Sequence, residues 1–325
     1  MVKREGLVDK LVVKADGTGQ VSHAGSALVT GVADRVGLTR ALSAAMAPTR
    51  QRRSAHDPGV VLRDLAVMLA DGGECLADLG ALRDQLDLYG NVASDATAFR
   101  VIDSIDEACL DRLRGAVALA RARAWQLGAR PQRRGEQQQD QDQNQDQNQN
   151  QNQEQEQEQE QEQEQERPEL TVIDVDATLT TSYSDKEQAA GNFKGGFGHH
   201  PLLCYLDETG EGLAGILRAG NAGSNTASDH KQVIDLALAQ LDEQALEGKI
   251  LVRADGAGAT HELTTYCREA RMLFSVGFDL DERVREAIVA KAESAWVKAI
   301  HADGSERKHS QVCEITDFSR PLRLV

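Results

Sequence analysis

The chain has 325 residues, a formal net charge of −16, 40% hydrophobic residues and 4% aromatics. Most of the acidity is local: residues 136–166 hold eleven acids and no base, which leaves −5 on the other 294 residues. A remainder of that size makes two ordinary domains, and its near-neutrality leaves DNA binding open, because clustered rather than summed charge attracts a polyanion. No apolar run is long enough to span a membrane, and no amino-terminal apolar segment reads as a signal peptide, so the expectation is a cytoplasmic protein. Five cysteines, Cys75, Cys109, Cys204, Cys267 and Cys313, lack C-x-x-C spacing. That argues against a zinc knuckle or a disulfide framework and for reduced core thiols.

Residues 1–130 read as a short extended start, "KLVVKADG", and then helices. In "VVLRDLAVMLADG", Val60, Val61, Leu65 and Leu69 fall at helical spacings, and Gly72 is a plausible stop. The segments "ECLADLGALRDQL", "SDATAFRVIDSI", with Ser94 and Asp95 as candidate caps, and "EACLDRLRGAVALARARAWQL" complete an all-α amino-terminal domain. Arg50, Arg52 and Arg53 cluster in "PTRQRRSAHD", and Arg121 and Arg123 add charge on the last helix. These five are candidate DNA contacts, with solvated loop arginines as the plainer reading.

Residues 131–167 form a linker around the Gln-rich tract, which has no hydrophobic residue to bury and is expected to be disordered or a solvated helix.

Beyond it, "TVIDVDATLTT" predicts a strand, since Thr171, Val172, Ile173 and Val175 are β-branched. Period two puts Asp174 and Asp176 on one face near its carboxyl end. Adjacent carboxylates repel, so such a pair suits a metal site or keeps one acid protonated, unless both simply face water. A Gly-rich bridge, "GNFKGGFGHH", leads to a hairpin of "PLLCYLD" and "LAGILRAG" around the turn "ETGEG". Next comes an amphipathic helix in "NTASDHKQVIDLALAQL", with Val233, Leu236, Leu238 and Leu241 available to a sheet and Asn225, Thr226 or Ser228 near its start. "KILVRADGAG" is a strand ending at Asp255, "THELTTYCREA" a helix opening at Thr260, and "RMLFSVGFDL" a further strand. Three antiparallel strands followed by parallel crossovers make a mixed α/β sheet of the ribonuclease H-like kind over residues 168–280.

On its own, "DVDATLTT" resembles the first motif of the haloacid dehalogenase phosphatases, in which Asp174 would be the nucleophile. A hairpin where that fold needs a crossover helix, and the lack of a late G-D-x-x-x-D cluster, count against it. In the ribonuclease H-like order the first and fourth strands are neighbours, so an acid on the first meets Asp255 and the two can share divalent cations that suit phosphodiester chemistry.

Taken together, "DVDATLTT", "FKGGFGHHPLLCYLDETGEGLAGILRAGNAGSNTASDH" and "ILVRADGAGATHEL", with "VSHAGSALVTGVADRVGLTRALS", "VLRDLAVMLADGGECLADLGALRDQ" and "VASDATAFRVIDSIDEA", resemble the DDE transposases of bacterial insertion sequences, specifically the insertion sequence 1380 family. The resemblance covers roughly residues 10–130 and 168–280. It implies a transposase that cleaves and transfers strands at terminal inverted repeats, uses Mg2+ or Mn2+, and acts as a homo-oligomer on the repeats and target DNA. It maps the first two acids to Asp176 and Asp255, both metal ligands, and leaves Asp174 as a supporting acid or the alternative first acid. Lys194, and less readily His199 and His200, are further candidates for contact near the site, and "NAGSNTASDH" can offer helix amides to phosphate or simply cap the helix.

The family's third acid is a Glu on a helix after the fifth strand. Glu262 and Glu269 precede that strand, and Glu293, Glu306 and Glu314 lack the context. Residues 281–325 resemble the start of the family's inserted region with a divergent tail, so the expectation is a truncated transposase that is catalytically incomplete alone. A DNA-binding remnant that competes with a full enzyme is the second reading.

Overall fold

The computed structural model describes residues 25–50, 54–130, 170–223, 226–301 and 304–315. Arg52, Arg53, Asn225, "KLVVKADG", the tract 136–166 and the tail from 316 onward lie outside the described residues. Two compact units are present: Met1–Thr171 with Tyr205–Ala214 and Ile234–Lys249, and Val172–Cys204 with Gly215–Val233 and Ile250–Val325.

In the first unit every described element up to residue 130 is helical: α1 (Ser26–Arg35), α2 (Leu38–Ala45), α3 (Pro58–Ala70), α4 (Leu79–Arg83), α5 (Leu86–Tyr89), α6 (Asp95–Asp103) and α7 (Glu107–Ala124). Helix α3 starts where chemistry favours it. The Asp57 carboxylate accepts from the Gly59 amide at 2.9 Å, and Pro58 occupies the first turn, where its missing N–H costs nothing. Val61, Leu65 and Met68 carry its buried stripe into a core with Leu79, Leu82, Tyr89 and Ala98. Leu69, which shares the spacing of Val61 and Leu65, is exposed instead, because the stripe turns to Met68. A second cluster joins α2 to α7 through Leu42, Met46, Cys109, Leu113 and Ala116. The segment "ECLADLGALRDQL" breaks into a 3-10 turn at Leu76–Asp78 and two short helices, since the Asp78 carboxylate holds the amides of Glu74 and Cys75 at 2.8 and 2.9 Å. Ser94 stands at the N-cap of α6 but makes no capping bond to the helix backbone.

The unit boundaries do not follow the linker, and α7 supplies the reason. Arg121 donates to Glu211 (3.0 Å), to Gln240 (3.0 Å) and to the Gly212 carbonyl (3.1 Å), Gln240 donates to the Arg114 carbonyl (3.2 Å), and Arg130 pairs with Asp242. Through these bonds residues 205–214 and 234–249 belong with the helices.

The main sheet has five strands, in which β1 (Leu170–Ala177) is central, β5 (Leu202–Leu206) and β6 (Gly212–Ile216) lie on one side, and β7 (Lys249–Ala254) and β8 (Leu273–Val276) on the other, in the order β6-β5-β1-β7-β8. Strands β7 and β8 are parallel, with Leu251 beside Leu273. The first and fourth long strands are therefore neighbours, as the ribonuclease H-like reading expects. Helix α8 (Ala227–Leu238) buries Val233, Ile234 and Ala237, with Leu236 and Leu238 half-buried; it is followed by α9 (Glu243–Glu247), α10 (His261–Glu269) and α11 (Glu282–Val289). Thr260 caps α10, its hydroxyl accepting from Leu263 at 3.1 Å.

The Gly-rich bridge carries structure that its residues do not announce. Strands β2 (Thr180–Thr181), β3 (Ala190–Gly191) and β4 (Phe197–His199) form a small antiparallel sheet in the order β2-β4-β3. Two glycines permit it: a Cβ on Gly198, at φ +154°, would lie 2.0 Å from the Thr180 carbonyl oxygen, and one on Gly220 would lie 2.3 Å from that of Ala190. Last come β9 (Val297–Ile300) and β10 (Glu306–Val312), a separate two-stranded ribbon. No helix among the described residues is long and apolar enough to cross a membrane.

Candidate active site

Strand β1 alternates as a half-buried strand should. Thr171, Ile173 and Val175 are buried, and Val172, Asp174 and Asp176 project from the opposite face. The two aspartates on that face have different fates. Asp174 takes a bidentate grip from Arg253 of β7, Nε to Oδ1 and Nη2 to Oδ2, each at 2.6 Å. Asp176 is exposed; its Oδ1 accepts the Ala177 amide at 2.8 Å, and it has no other partner among the described residues.

Asp255 follows β7 directly and is also exposed. It opens a 3-10 turn over Gly256–Gly258, with its Oδ1 accepting the Ala257 amide at 2.9 Å. The turn is tight: a Cβ on Gly258 would fall 2.5 Å from that of Ala254. Residues two apart in a strand share a face, so the Arg253 to Asp174 bond fixes which face of β7 meets Asp174 and Asp176 on β1. Asp255 is the next alternate position, carried just past the strand end in extended backbone (φ −72°, ψ −167°).

Exposed carboxylates at strand ends, each with one oxygen held by a backbone amide and the other open, are hard donors of the kind Mg2+ or Mn2+ prefers. Asp174 is committed to Arg253. Among the described residues no group of three or more His, Cys, Asp or Glu side chains is arranged to hold a metal ion. Glu262 and Glu269 lie on α10, between β7 and β8. Glu293 is in a 3-10 turn after α11 has ended, Glu306 pairs with Lys298 on the ribbon, and Glu314 follows β10.

The basic candidates separate as well. Arg50 is exposed and pairs loosely with Asp57 at 3.4 Å. Arg121, with its side chain only 10% exposed and Nε, Nη1 and Nη2 all bonded within the fold, holds structure together in place of facing phosphate. Arg123 is exposed, touching Gln126 at 3.3 Å. Lys194 is exposed at the turn between β3 and β4, its Nζ 5.7 Å from the Phe193 ring centroid. His199 bonds the Glu187 carbonyl at 3.0 Å, and His200 is buried against the Ala222 carbonyl at 3.2 Å, so both have structural partners.

Two arginines carry weight that sequence reasoning did not give them. Buried Arg218 donates to the carbonyls of His200 (2.9 Å) and Gly223 (3.2 Å) and to Asp229 (3.2 Å) in the first turn of α8, tying the strand to the helix start. Arg253 did leave a signal: in "VRAD" it precedes Asp255 by two residues, the same pitch that separates Asp174 from Asp176.

Residues 4–319 match the family model described as transposase DDE domain, group 1. No curated protein matches the chain.

Proposed function

Because the chain belongs to the transposase DDE domain group 1 family, matched over residues 4–319, we propose that it is the transposase of an insertion sequence of the 1380 kind, with Asp176 and Asp255 as its first two metal-binding acids. The carrying observation is the division of labour on β1. Arg253 neutralises Asp174 and leaves Asp176 as the open carboxylate of that face. The chemistry a divalent cation supplies when held by these acids is Lewis-acid activation of a water or 3′-hydroxyl and stabilisation of the leaving oxygen. Asp176 and Asp255 hold their own Oδ1 atoms in place through local backbone amides, which preorganises the donors without a cation.

The hairpin β5–β6 follows β1 directly in the main sheet, where the phosphatase alternative requires a crossover helix. DNA is the partner, as terminal inverted repeats and target, engaged by a homo-oligomer with Arg50, Arg52, Arg53, Arg123 and Lys194 as phosphate contacts. Two acids hold a divalent cation less well than three, and no third carboxylate joins them among the described residues. The chain alone therefore binds DNA and transfers strands poorly, which gives the competitor reading its footing.

The test uses the purified chain, labelled DNA from the ends of its own element, and Mg2+ or Mn2+. Expected are a specific mobility shift that survives competitor DNA and little strand transfer. Cleavage at a rate like that of an intact homologue would refute the incomplete site, and loss of the shift to scrambled competitor would refute end recognition.

A further inference from the structure

The ribbon β9–β10 has no buried residue on either strand. Two strands alone are marginal in water, so a ribbon exposed in this way is expected to gain a partner surface. Its register names the chemistry of that partner. Glu306 pairs with Ile300 and Gln311 with Lys298, so Arg307, Lys308, His309 and Ser310 on β10 stand opposite Ala299 alone on β9. This is a bulge with three surplus residues, and the surplus is basic. At its centre His309 has φ +61°, a conformation that residues bearing a side chain seldom adopt. Bulges of this kind re-aim side chains.

The local acid is already used: Glu306 pairs with Lys298 across the ribbon. Arg307 and Lys308 are exposed and have no ion pair among the described residues. Two uncompensated cations and an imidazole, gathered on a bulge in a chain of net charge −16, form a local positive feature against the overall field.

We propose that the β10 bulge grips the sugar-phosphate backbone of DNA through Arg307 and Lys308, with His309 beside them, as a sequence-independent contact. The inference rests on the transposase reading for the identity of the polyanion, and on the bulge alone for the place of contact. A two-stranded ribbon is slim enough to lie along a DNA groove, and phosphate contacts set position without reading bases.

The experiment measures anisotropy of a short fluorescein-labelled duplex of scrambled sequence with the full chain in EDTA over a salt series. Each phosphate neutralised contributes about −0.9 to the slope of log K against log salt, so R307A/K308A should flatten the slope by roughly two and weaken binding several-fold at low salt. The charge-preserving R307K/K308R should bind like the parent, which separates lost contact from misfolding. Unchanged affinity and slope in R307A/K308A would overturn the proposal, as would an absence of binding by the parent chain. A shift to self-association governed by Val297 and Ile300, with DNA binding untouched by the double variant, would instead assign the ribbon to a second copy. Cleavage is scored separately with Mg2+: a parent chain that cleaves at a rate like that of an intact homologue refutes the incomplete site and leaves the bulge contact standing.

Discussion

Arg253 on β7, two residues before Asp255, holds Asp174 on β1, two residues before Asp176, through the Nε–Nη2 edge of its guanidinium, each bond at 2.6 Å. One carboxylate of the "DVD" pair is thereby neutralised inside the sheet, and its neighbour is left open. Mn2+ binding, read by electron paramagnetic resonance, should follow that split. Asp176→Asn and Asp255→Asn are expected to lower affinity by at least about tenfold, and Asp174→Asn by less, because both Asp174 oxygens are taken by Arg253 and are not offered to the ion. Equal losses at Asp174 and Asp176 would return Asp174 to the ligand set.

The Arg253–Asp174 pair is partly solvated, with side chains 41% and 31% exposed, so its strength is limited by screening despite the bidentate geometry. A double-mutant cycle of Arg253→Ala and Asp174→Asn, followed by urea unfolding, should give a coupling of about 1 kcal/mol. The coupling should shrink in high salt. A value near zero would mean that the two strands keep their register without the pair.

What the residues disclosed in advance follows from how far each signal travels along the chain. The long strands β1, β5, β6 and β7 and the helices α8 and α10 announce themselves through local periodicity and caps, and Thr260 caps α10 as its position suggests. Strands β2, β3 and β4 are two or three residues long, too short to display a period, and depend on Gly198 and Gly220 admitting close backbones. Arg121 looks like a free basic residue from its neighbours, because its partners Glu211 and Gln240 lie 90 and 119 residues away. At the site, the pitch of the D-x-D and R-x-D motifs was visible, but the pairing that separates Asp174 from Asp176 exists only once β1 and β7 are side by side.

Arg121 should behave as a structural clamp. Arg121→Ala strands the Glu211 and Gln240 side chains and the Gly212 carbonyl, and a loss of about 2–3 kcal/mol in unfolding free energy is expected for hydrogen bonds of this charged kind. Arg121→Lys should recover little, since one ammonium does not reproduce a planar fork reaching three acceptors. Duplex affinity of the folded variant should match the parent. A weaker, less salt-dependent complex at full stability would instead make Arg121 a DNA contact.

Burial pushes the Cys267 thiol up to about 11 from an ordinary 9.0, with Arg268 pulling weakly the other way. The folded state therefore holds this proton more tightly than the unfolded chain does. Its contribution to stability is complete below pH 9 and drains away as pH rises toward 11. Cys267→Ala should lose less stability than the parent between about pH 8 and about pH 10.5, measured by urea midpoints. In the native protein at neutral pH a thiol reagent should modify exposed Cys75 well before Cys267. Parallel alkaline profiles for the two proteins would remove Cys267 from the account.

Two helical glycines should respond to alanine with opposite signs. Gly59 in α3 faces the backbone of α2 so closely that a Cβ would lie 2.1 Å from the Ser43 amide nitrogen and 2.4 Å from the Leu42 carbonyl carbon. Helix propensity favours alanine by about 1 kcal/mol, but these neighbours are main-chain atoms and have no rotamer with which to yield. Gly59→Ala must push α2 from α3 and disturb α2's seat on Met46 and Leu113, for an expected net loss of about 3 kcal/mol. Gly115, exposed in α7, has nothing within 4 Å of the same atom. There the entropy argument is unopposed, and Gly115→Ala should gain about 0.5–1 kcal/mol. Thermal unfolding of both variants decides the point: a neutral Gly59→Ala would mean that α2 and α3 are not in backbone contact, and a destabilised Gly115→Ala would mean that α7 is covered where the fold leaves it open.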